Sequence, residues 1–387
     1  MIALQIFLWF FIFLVFHTYV GYPQLLYFLA KNKKLNFKNE KIFPKISIIM
    51  AVFNEESVIE EKLNTIISSD CPLDKIQIII GSDNSTDGTN DILKRFSEKY
   101  SFIDYTIFNE RMGKSNIVNA MIDRSEGEIL ILTDANVFFD KNTINEIIKP
   151  FSDPKIGLVD TNMINTGLKK EGISIQEKAY ISREVWIKHY EGLLWGTMMG
   201  PFGGCFAIRK NLYSPVPRNF LVDDFYICMK VLKSGYKAIN NLDSMVFEDV
   251  SNNISDEFKR KVRISTGDFQ NLWKFKSILW PPFTGLSFSF LSHKVLRWLT
   301  PTFIIFSYIL CILLAFRFKL YLVLFLLFNL ILLLPLIDFL LKKINIHNTF
   351  LRFITHFFSM NIALLIGMFK AMKGVKSNVW KPTKRNQ

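Results

Sequence analysis

The fold is decided by Glu128-Ile-Leu-Ile-Leu-Thr-Asp-Ala-Asn-Val-Phe-Phe-Asp140. Its apolar run at 129–132 is typical of a strand buried on both faces of a mostly parallel sheet. The strand leads into Asp134 and Asn136, and ligands of open α/β sheets bind beyond that end of the strands. Two oxygen ligands two residues apart can share a divalent cation that carries substrate phosphates. Taken alone, an Asx turn explains these residues more simply, so the metal hypothesis depends on the rest of the chain.

The two ends of the chain are apolar. Of its 387 residues, 50% are hydrophobic and 15% aromatic, too many for a purely soluble enzyme. Residues 1–30 carry no charged side chain, and at 1.5 Å per residue they are long enough to cross a bilayer of ~30 Å. Because they lack a basic start and a small-residue cleavage site, we expect an uncleaved anchor rather than a signal peptide. The lysines that follow predict a cytoplasmic domain and an outside N-terminus.

The C-terminal third predicts further membrane segments. We expect spans at 299–316 and 320–341 and a weaker candidate at 353–369. Four spans would leave the basic tail outside, which the charge rule disfavours, so we expect the last segment to be re-entrant or interfacial. The predicted organisation is an anchor, an α/β domain, an interfacial helix, two or three membrane segments and a basic cytoplasmic tail, at 1–30, 44–277, 278–298, 299–372 and 373–387.

Charge and cysteines exclude other classes. The net charge of +13 does not indicate a nucleic-acid partner, because the basic residues flank apolar segments and suit an anionic membrane leaflet. We therefore expect membrane lipid, and no nucleic acid, as a partner. The four cysteines are scattered without a CxxC pair, which argues against a zinc site or a disulfide framework.

Polar residues follow two more predicted strands. The strand at 46–50 leads into Asn54 and Glu55, and the strand at 76–80 leads into Asp83. A second acidic side chain at the same sheet edge favours a shared pocket over unrelated turns. With the stretch that ends at Asp140, three strand-turn-helix units describe a nucleotide-binding α/β half-domain.

Later motifs place bases and carboxylates before helices. Arg111 and Lys114 surround a glycine and suit diphosphate binding, although a solvated basic turn fits that segment equally well. We expect a helix at 174–191 and a glycine-containing loop at 196–204. Asp223 and Asp224 open another helix, either as an N-cap and its neighbour or as the site of a general base.

The order of these motifs resembles that of family 2 glycosyltransferases with a GT-A fold, of the membrane-embedded kind that includes cellulose, hyaluronan and poly-N-acetylglucosamine synthases. The resemblance covers residues 46–270 and the flanking membrane segments. It implies a Rossmann-like, mostly parallel α/β domain. It also implies a nucleotide-binding set, which is Phe53, Asn54, Glu55, Asp83, Arg111 and Lys114.

The resemblance implies a metal site and an acceptor site as well. Asp134 and Asn136 match the Asp-x-Asp motif that binds Mg²⁺ or Mn²⁺, but the amide brings no charge, so Asp134 would be the principal anchor. Asp224 matches the general base of inverting members, and Asp223 takes the place of the preceding Glu.

The Gln-x-x-Arg-Trp motif of processive synthases is only partly present. Its Arg is kept as Arg263, which would contact the diphosphate, while Arg260 replaces the Gln and Ile264 replaces the Trp. Losing the aromatic platform puts processive polymer extension in doubt.

The function implied is that of an inverting, metal-dependent glycosyltransferase that uses a nucleotide sugar, with a UDP-sugar favoured. The acceptor would be a hydroxyl of a glycan or a lipid-linked acceptor in cell-envelope polysaccharide synthesis, at the cytoplasmic face of a bacterial inner membrane. Two alternatives stay open: a processive synthase with its own export channel, and a catalytically silent membrane subunit, which Asn136 alone supports. The sequence does not fix the oligomeric state.

Overall fold

The computed structural model describes residues 1–35, 37, 43–167, 173–249 and 253–379. One mixed sheet forms the centre of the domain between the apolar ends. Its strands in chain order are β1 (Ile46–Val52), β2 (Ile76–Ser82), β3 (Ile103–Ile107), β4 (Ile129–Thr133), β5 (Val137–Phe139), β6 (Ile156–Thr166), β7 (Cys205–Arg209) and β8 (Lys237–Asp249).

The sheet has the order β3-β2-β1-β4-β7-β6-β8-β5. The half formed by β3, β2, β1 and β4 is parallel throughout. β7 is antiparallel to both β4 and β6, whereas β6 and β8 pair in parallel. Because β1, β2 and β4 are parallel neighbours, the loops after them meet at one sheet edge. The expected GT-A-like α/β fold with a mostly parallel sheet is confirmed.

The helices cover both faces of the sheet and continue into the apolar ends. In chain order they are α1 (Ile2–Phe16), α2 (Tyr22–Ala30), α3 (Ile59–Ile67), α4 (Thr89–Lys99), α5 (Lys114–Asp123), α6 (Thr143–Ile148), α7 (Ser174–Trp195), α8 (Asp223–Lys233), α9 (Ile254–Phe275), α10 (Gly285–Ser289), α11 (Leu296–Trp298), α12 (Thr300–Ala315), α13 (Lys319–Lys343) and α14 (Thr349–Met372).

The strands are buried on both faces, as their apolar runs predict. Every residue of β1 is buried, and Ile48 and Ile49 pack into the two separate apolar layers on opposite sides of the sheet. In β4, Leu130 and Ile131 likewise pack into the two opposite apolar layers. Full burial of one such side chain contributes roughly 1.5–3 kcal/mol, so this central pair of strands anchors the loops that follow it.

Three helices of the described residues are long and apolar enough to cross a membrane: Ile2–Ala30, Lys319–Lys343 and Thr349–Met372. In addition, the segment Gly285–Trp298 meets Thr300–Ala315 at an angle of 61°, and the two together would make a fourth, bent candidate. The predicted span at 299–316 therefore reaches the required length only with the helix before it.

The single helix expected over 278–298 is wrong in its bounds. A short 3₁₀ turn ends at Leu279, and the helix begins only at Gly285. Pro281 and Pro282 lie between them, and proline both fixes its own φ and disfavours helical geometry in the residue before it. The segment 285–298 is also largely buried against the domain, with Phe290 and Trp298 in its core.

The last helix, α14, is continuous from Thr349 to Met372. It lies along α9 of the α/β domain. Ser265 of α9 donates to the Leu364 carbonyl at 3.0 Å, and a Cβ at Gly367 would overlap the Ser265 side chain. This close packing ties the C-terminal helix to the domain surface.

Candidate active site

A pocket of about 950 Å³ lies at the sheet edge where β1 and β4 end. It brings together most of the predicted site residues, which are Asn54, Glu55, Lys114, Asp134, Asn136, Asp223, Asp224, Arg260 and Arg263. Phe53, Asp83 and Arg111 are not among the residues that line it. Residues predicted separately from strand exits and from helix starts therefore share one cavity.

Asp83 organises the loop before Lys114. Its fully buried carboxylate accepts from the Arg111 side chain at 3.0 Å and from the backbone N–H groups of Met112 and Gly113 at 2.6 and 3.2 Å. The Arg111 guanidinium lies 3.2 Å from the centre of the Phe53 ring. These three predicted nucleotide-binding residues thus hold one another and shape the loop, and their contact with a nucleotide stays a prediction.

The loop after β1 is locked to the loop after β2. Asn54 has a left-handed backbone with φ of 53°, and its side-chain oxygen accepts from the Thr86 N–H at 2.8 Å. The Glu55 N–H donates to the Thr89 hydroxyl at 2.9 Å. Left-handed geometry suits Asn better than most residues, because its short side chain can bond locally. The two predicted nucleotide loops therefore form one rigid wall.

Lys114 bridges the donor-side loops to the β4 exit. Its ammonium donates to Asp134 at 2.5 Å, and it begins α5 directly after Gly113, whose φ of 86° favours glycine. Burial disfavours the charged form, but the carboxylates of Asp134, Asp223 and Asp224 outweigh it and hold the pKa of Lys114 above its ordinary value. A permanently charged ammonium therefore stands beside the predicted metal residue.

Asp134 and Asn136 can supply two oxygens to a divalent cation. Neither belongs to a group of three or more His, Cys, Asp or Glu side chains suited to a metal, since the described residues contain no such group. This donor set fits Mg²⁺ or Mn²⁺ only if substrate phosphates and water complete the shell, which is the usual arrangement for Mg²⁺ at nucleotide sites.

A buried lysine supports the Asp134–Asn136 turn from inside. Lys62 of α3 is fully buried, donates to the Thr133 hydroxyl at 3.0 Å and to the Val137 carbonyl, and lies 3.5 Å from the Phe139 ring centre. Burial lowers its pKa to about 7. Lys62 belongs to none of the sequence motifs, although a lysine among the apolar positions of an amphipathic helix is a signal of a buried role.

The two aspartates of the predicted acceptor motif open α8. Asp224 accepts from the Phe225 N–H at 2.7 Å, and a Cβ at Gly203, where φ is 80°, would overlap its carboxylate. Burial, followed by the negative charge of Asp223, raises the pKa of Asp224, and Lys114 offsets part of that rise. A carboxylate tuned in this way is suited to general-base chemistry near neutral pH.

The two arginines of α9 differ in their partners. Arg260 donates to Glu257 at 3.3 Å, and that carboxylate holds its pKa above the ordinary value. Burial lowers the pKa of Arg263, and the charge of Arg260 acts in the same direction, while the charges of Asp223 and Asp224 oppose both. Arg260 is thus held by Glu257, whereas the charges that favour the ionised form of Arg263 come from the pocket carboxylates, which makes Arg263 the better candidate to contact a diphosphate.

The C-terminal tail returns to the donor side. Asn378 is buried, and its amide donates to the Ser115 hydroxyl at 2.6 Å. A Cβ at Gly113 would overlap the Asn378 side chain, so the tail packs directly on the loop that positions Lys114. Sequence reasoning gave no sign of this contact between residues 263 positions apart.

Comparisons with known proteins place this chain among glycosyltransferase-like sequences and folds. Residues 47–216 match glycosyl transferase family 2. A probable glycosyltransferase of Bacillus subtilis (strain 168), YdaM, is 27% identical over 213 residues, covering 51% of this chain and 49% of the relative. The poly-beta-1,6-N-acetyl-D-glucosamine synthase of Staphylococcus aureus (strain COL) is 24% identical over 246 residues, or 62% of this chain and 58% of the relative. The chain thus spans about half the length of the curated relatives it matches.

A solved structure resembles the whole chain. It is the mannosyltransferase PcManGT from Pyrobaculum calidifontis, in complex with GDP-Man and Mn²⁺, and it superposes with a TM-score of 0.71 at 22% identity. The match covers 95% of this chain and 99% of that one. At this identity the likeness establishes the shared fold.

Proposed function

We propose that this chain, whose residues 47–216 match glycosyl transferase family 2, transfers a sugar from a nucleotide-sugar donor to an acceptor hydroxyl at a membrane, with inversion at the anomeric carbon. One observation carries the proposal: Lys114, Asp134 and Asp224 line the same pocket. They supply a cation for the diphosphate, a metal-binding oxygen and a base for the acceptor.

The donor diphosphate would lie between Lys114 and Arg263. Both cations line the pocket, and the negative charge that grows on the leaving diphosphate would be stabilised by them. Asp134 and Asn136 would hold a divalent cation whose charge stabilises the same leaving group. The Mn²⁺ and GDP-Man bound to PcManGT support a nucleotide sugar and a metal of this kind.

Asp224 would act on the other side of the anomeric carbon. Its raised pKa lets it take the proton of the attacking hydroxyl, and its place at the start of α8 fixes its direction. Ile264 lines the pocket where processive synthases carry a tryptophan. The absence of that aromatic platform at this position favours single addition over polymer extension.

The packing supports a cytoplasmic α/β domain with the tail on the same side. Asn378 contacts Ser115 in the donor wall, so the end of α14 and the pocket must lie on one side of the membrane. If Ile2–Ala30 crosses inward, and α12 and α13 form a hairpin, α14 and the tail return to the cytoplasm. The contacts of α14 with α9 then suit an interfacial position for α14.

This topology can be tested by cysteine labelling in intact bacterial cells. The four native cysteines are buried, so a single Ser377→Cys substitution reports on the tail. We expect a membrane-impermeant maleimide to label it only after permeabilisation, whereas Ile2→Cys reacts in intact cells. Labelling of Ser377→Cys in intact cells would overturn the arrangement.

The transferase itself is tested by nucleoside diphosphate release from detergent-purified protein. A panel of UDP- and GDP-sugars is supplied with and without Mn²⁺ or Mg²⁺, using wild type, Asp134→Ala and Asp224→Asn. Asp243→Asn, at an exposed position on β8, is the matched control. We expect metal-dependent turnover of one donor in wild type and the control, and its loss in the two pocket variants. Equal turnover by Asp224→Asn and wild type would contradict the mechanism.

A further inference from the structure

The pocket has a second end, away from the nucleotide loops. Its wall is formed by α7 and by the segment 285–298, and it includes Tyr180, Glu184, Lys294 and Arg297. Asp268 of α9 lines the same region. Lys294 and Arg297 belong to the segment that the sequence predicted to lie at the membrane interface, and neither the site motifs nor the proposed transfer reaction gives any of these residues a role.

This second end adjoins the first membrane helix. The Arg297 guanidinium lies 5.8 Å from the ring centre of Tyr19, and Arg183 of α7 donates to the Tyr19 carbonyl. Tyr22 donates to the buried Glu191 of α7 at 2.8 Å. An acceptor reaching this part of the pocket therefore comes from the side where the chain enters the bilayer.

The segment 285–298 also connects the second end of the pocket to a membrane segment, through its C-terminal residue. Trp298 lines the pocket, and the chain then turns by 61° into α12, which together with that segment makes a candidate span. One wall of the second end thus continues directly into a membrane segment. A lipid held in the bilayer can present its head group here without leaving the membrane.

The cations at this end are already paired. Glu184 accepts from Lys294 at 2.7 Å and from Arg297 at 2.5 Å, and Lys188 donates to Asp160 at 2.6 Å. A phosphate group is bound by cations that can direct their N–H groups to it. Here those groups are directed to buried carboxylates, so a phosphate-bearing acceptor would have to break existing ion pairs.

Asp268 differs from these carboxylates. It is nine-tenths buried and lines the pocket, and its carboxylate makes no hydrogen bond or ion pair to a described residue. Burial raises its pKa to about 7. A hydroxyl group can donate a hydrogen bond to such an unpaired carboxylate oxygen.

We infer that the acceptor is a membrane lipid with an uncharged, hydroxyl-bearing head group, and that Asp268 determines this specificity by accepting a hydrogen bond from a second hydroxyl of that head group. The inference rests on the proposed transferase function. The attacked hydroxyl loses its proton to Asp224 as its oxygen bonds to the anomeric carbon. The bond from that carbon to the diphosphate breaks, and its electron pair leaves with the diphosphate.

The test measures acceptor stimulation in lipid nanodiscs. Purified wild type is given its nucleotide-sugar donor with diacylglycerol, a monohexosyl diacylglycerol, a polyprenyl phosphate or a soluble oligosaccharide. Nucleoside diphosphate release and labelled lipid product are both followed. We expect the monohexosyl diacylglycerol to stimulate release most strongly, because its sugar offers the second hydroxyl that diacylglycerol lacks. Greatest stimulation by diacylglycerol, by the polyprenyl phosphate or by the soluble oligosaccharide would overturn the inference.

Asp268→Asn separates this inference from the proposed function. We expect the KM for the neutral lipid to rise about tenfold, because one buried hydrogen bond to a carboxylate is weakened. Slow donor hydrolysis without acceptor should stay at the wild-type rate, which also shows that the variant is folded. Asp243→Asn is again the control. An unchanged lipid KM would refute the role of Asp268, whereas a wild type that never releases nucleoside diphosphate would refute the transferase function itself.

Discussion

The donor end and the acceptor end of the pocket are built by different means. The donor end consists of loops after parallel strands, locked together by Asn54, Asp83 and their hydrogen bonds. The acceptor end lies between helices. The ion pair of Arg297 with Glu184 connects α7 to the segment 285–298, and a hydrogen bond from Arg183 to the Tyr19 carbonyl connects α7 to the first membrane helix. Donor recognition can therefore stay rigid, while the acceptor end is coupled to the membrane. Substitutions should separate the two ends.

The largest effect is expected at the acceptor end, from Asp224→Asn. Loss of a positioned general base costs roughly 10²–10⁴-fold in kcat. Because Asp224 is proposed to act on the acceptor hydroxyl rather than on the nucleotide, we expect the KM for the nucleotide sugar to change little. Steady-state kinetics with saturating acceptor measure both constants. An equally large rise in donor KM would show that the two ends are not separable.

At the donor end, the strongest indirect effect is expected from Lys62→Met. Methionine keeps much of the buried volume but removes the bonds to the Thr133 hydroxyl and the Val137 carbonyl, which hold the turn containing Asp134. Loss of such support typically costs 10–100-fold in metal affinity. Titration of activity with Mn²⁺ should show a higher activation constant and a lower kcat at limiting metal.

The control for that variant is its kcat at saturating Mn²⁺ and its thermal unfolding. We expect most of the activity to return at high metal concentration, because Lys62 contacts neither the predicted donor site nor Asp224. A uniform loss of activity that metal does not restore would indicate that Lys62 only stabilises the fold.

A smaller effect in the opposite direction is expected from Asn136→Asp. A second carboxylate adds charge to the metal site, so the Mn²⁺ activation constant should fall several-fold. Metal titration of the variant beside wild type measures it. An unchanged constant would show that Asn136 does not ligate the metal. That result would favour the alternative of a catalytically silent membrane subunit.

The donor end could be predicted from sequence because its residues follow strands. The run 129–132 and the residues after it, Asp134 and Asn136, are contiguous, and local patterning fixes both strand and turn. The acceptor end could not be predicted. Asp268 of α9 and Glu184 of α7 are far apart along the chain, and only tertiary packing brings them to the same end of the pocket.

The roles of two other residues could not be predicted either, because they too depend on tertiary packing. In the sequence, Lys62 is one polar residue of an amphipathic helix. Its supporting role depends on the turn containing Asp134, which packs over it. Asn378 contacts Ser115 only because α14 returns the tail to the domain. The predicted helix over 278–298 was wrong in its bounds for a local reason, because Pro281 and Pro282 exclude a continuous helix.

The smallest expected effect concerns the pKa of Asp224 at the acceptor end. Asp224 must be deprotonated to act as a base, and its pKa is raised to about 7, so the rate should fall as the pH drops below that value. The negative charge of Asp223 contributes to the rise. Asp223→Asn should therefore lower the pKa of Asp224 and move the acidic limb of kcat to lower pH.

The expected shift is about one pH unit or less, because burial, which the substitution leaves in place, is the larger cause of the raised pKa. Rates measured across the acidic range with saturating donor and acceptor locate the limb. Its movement to higher pH would mean that Asp223 supports the charged form of its neighbour, and the assignment of the base within the pair would have to be exchanged.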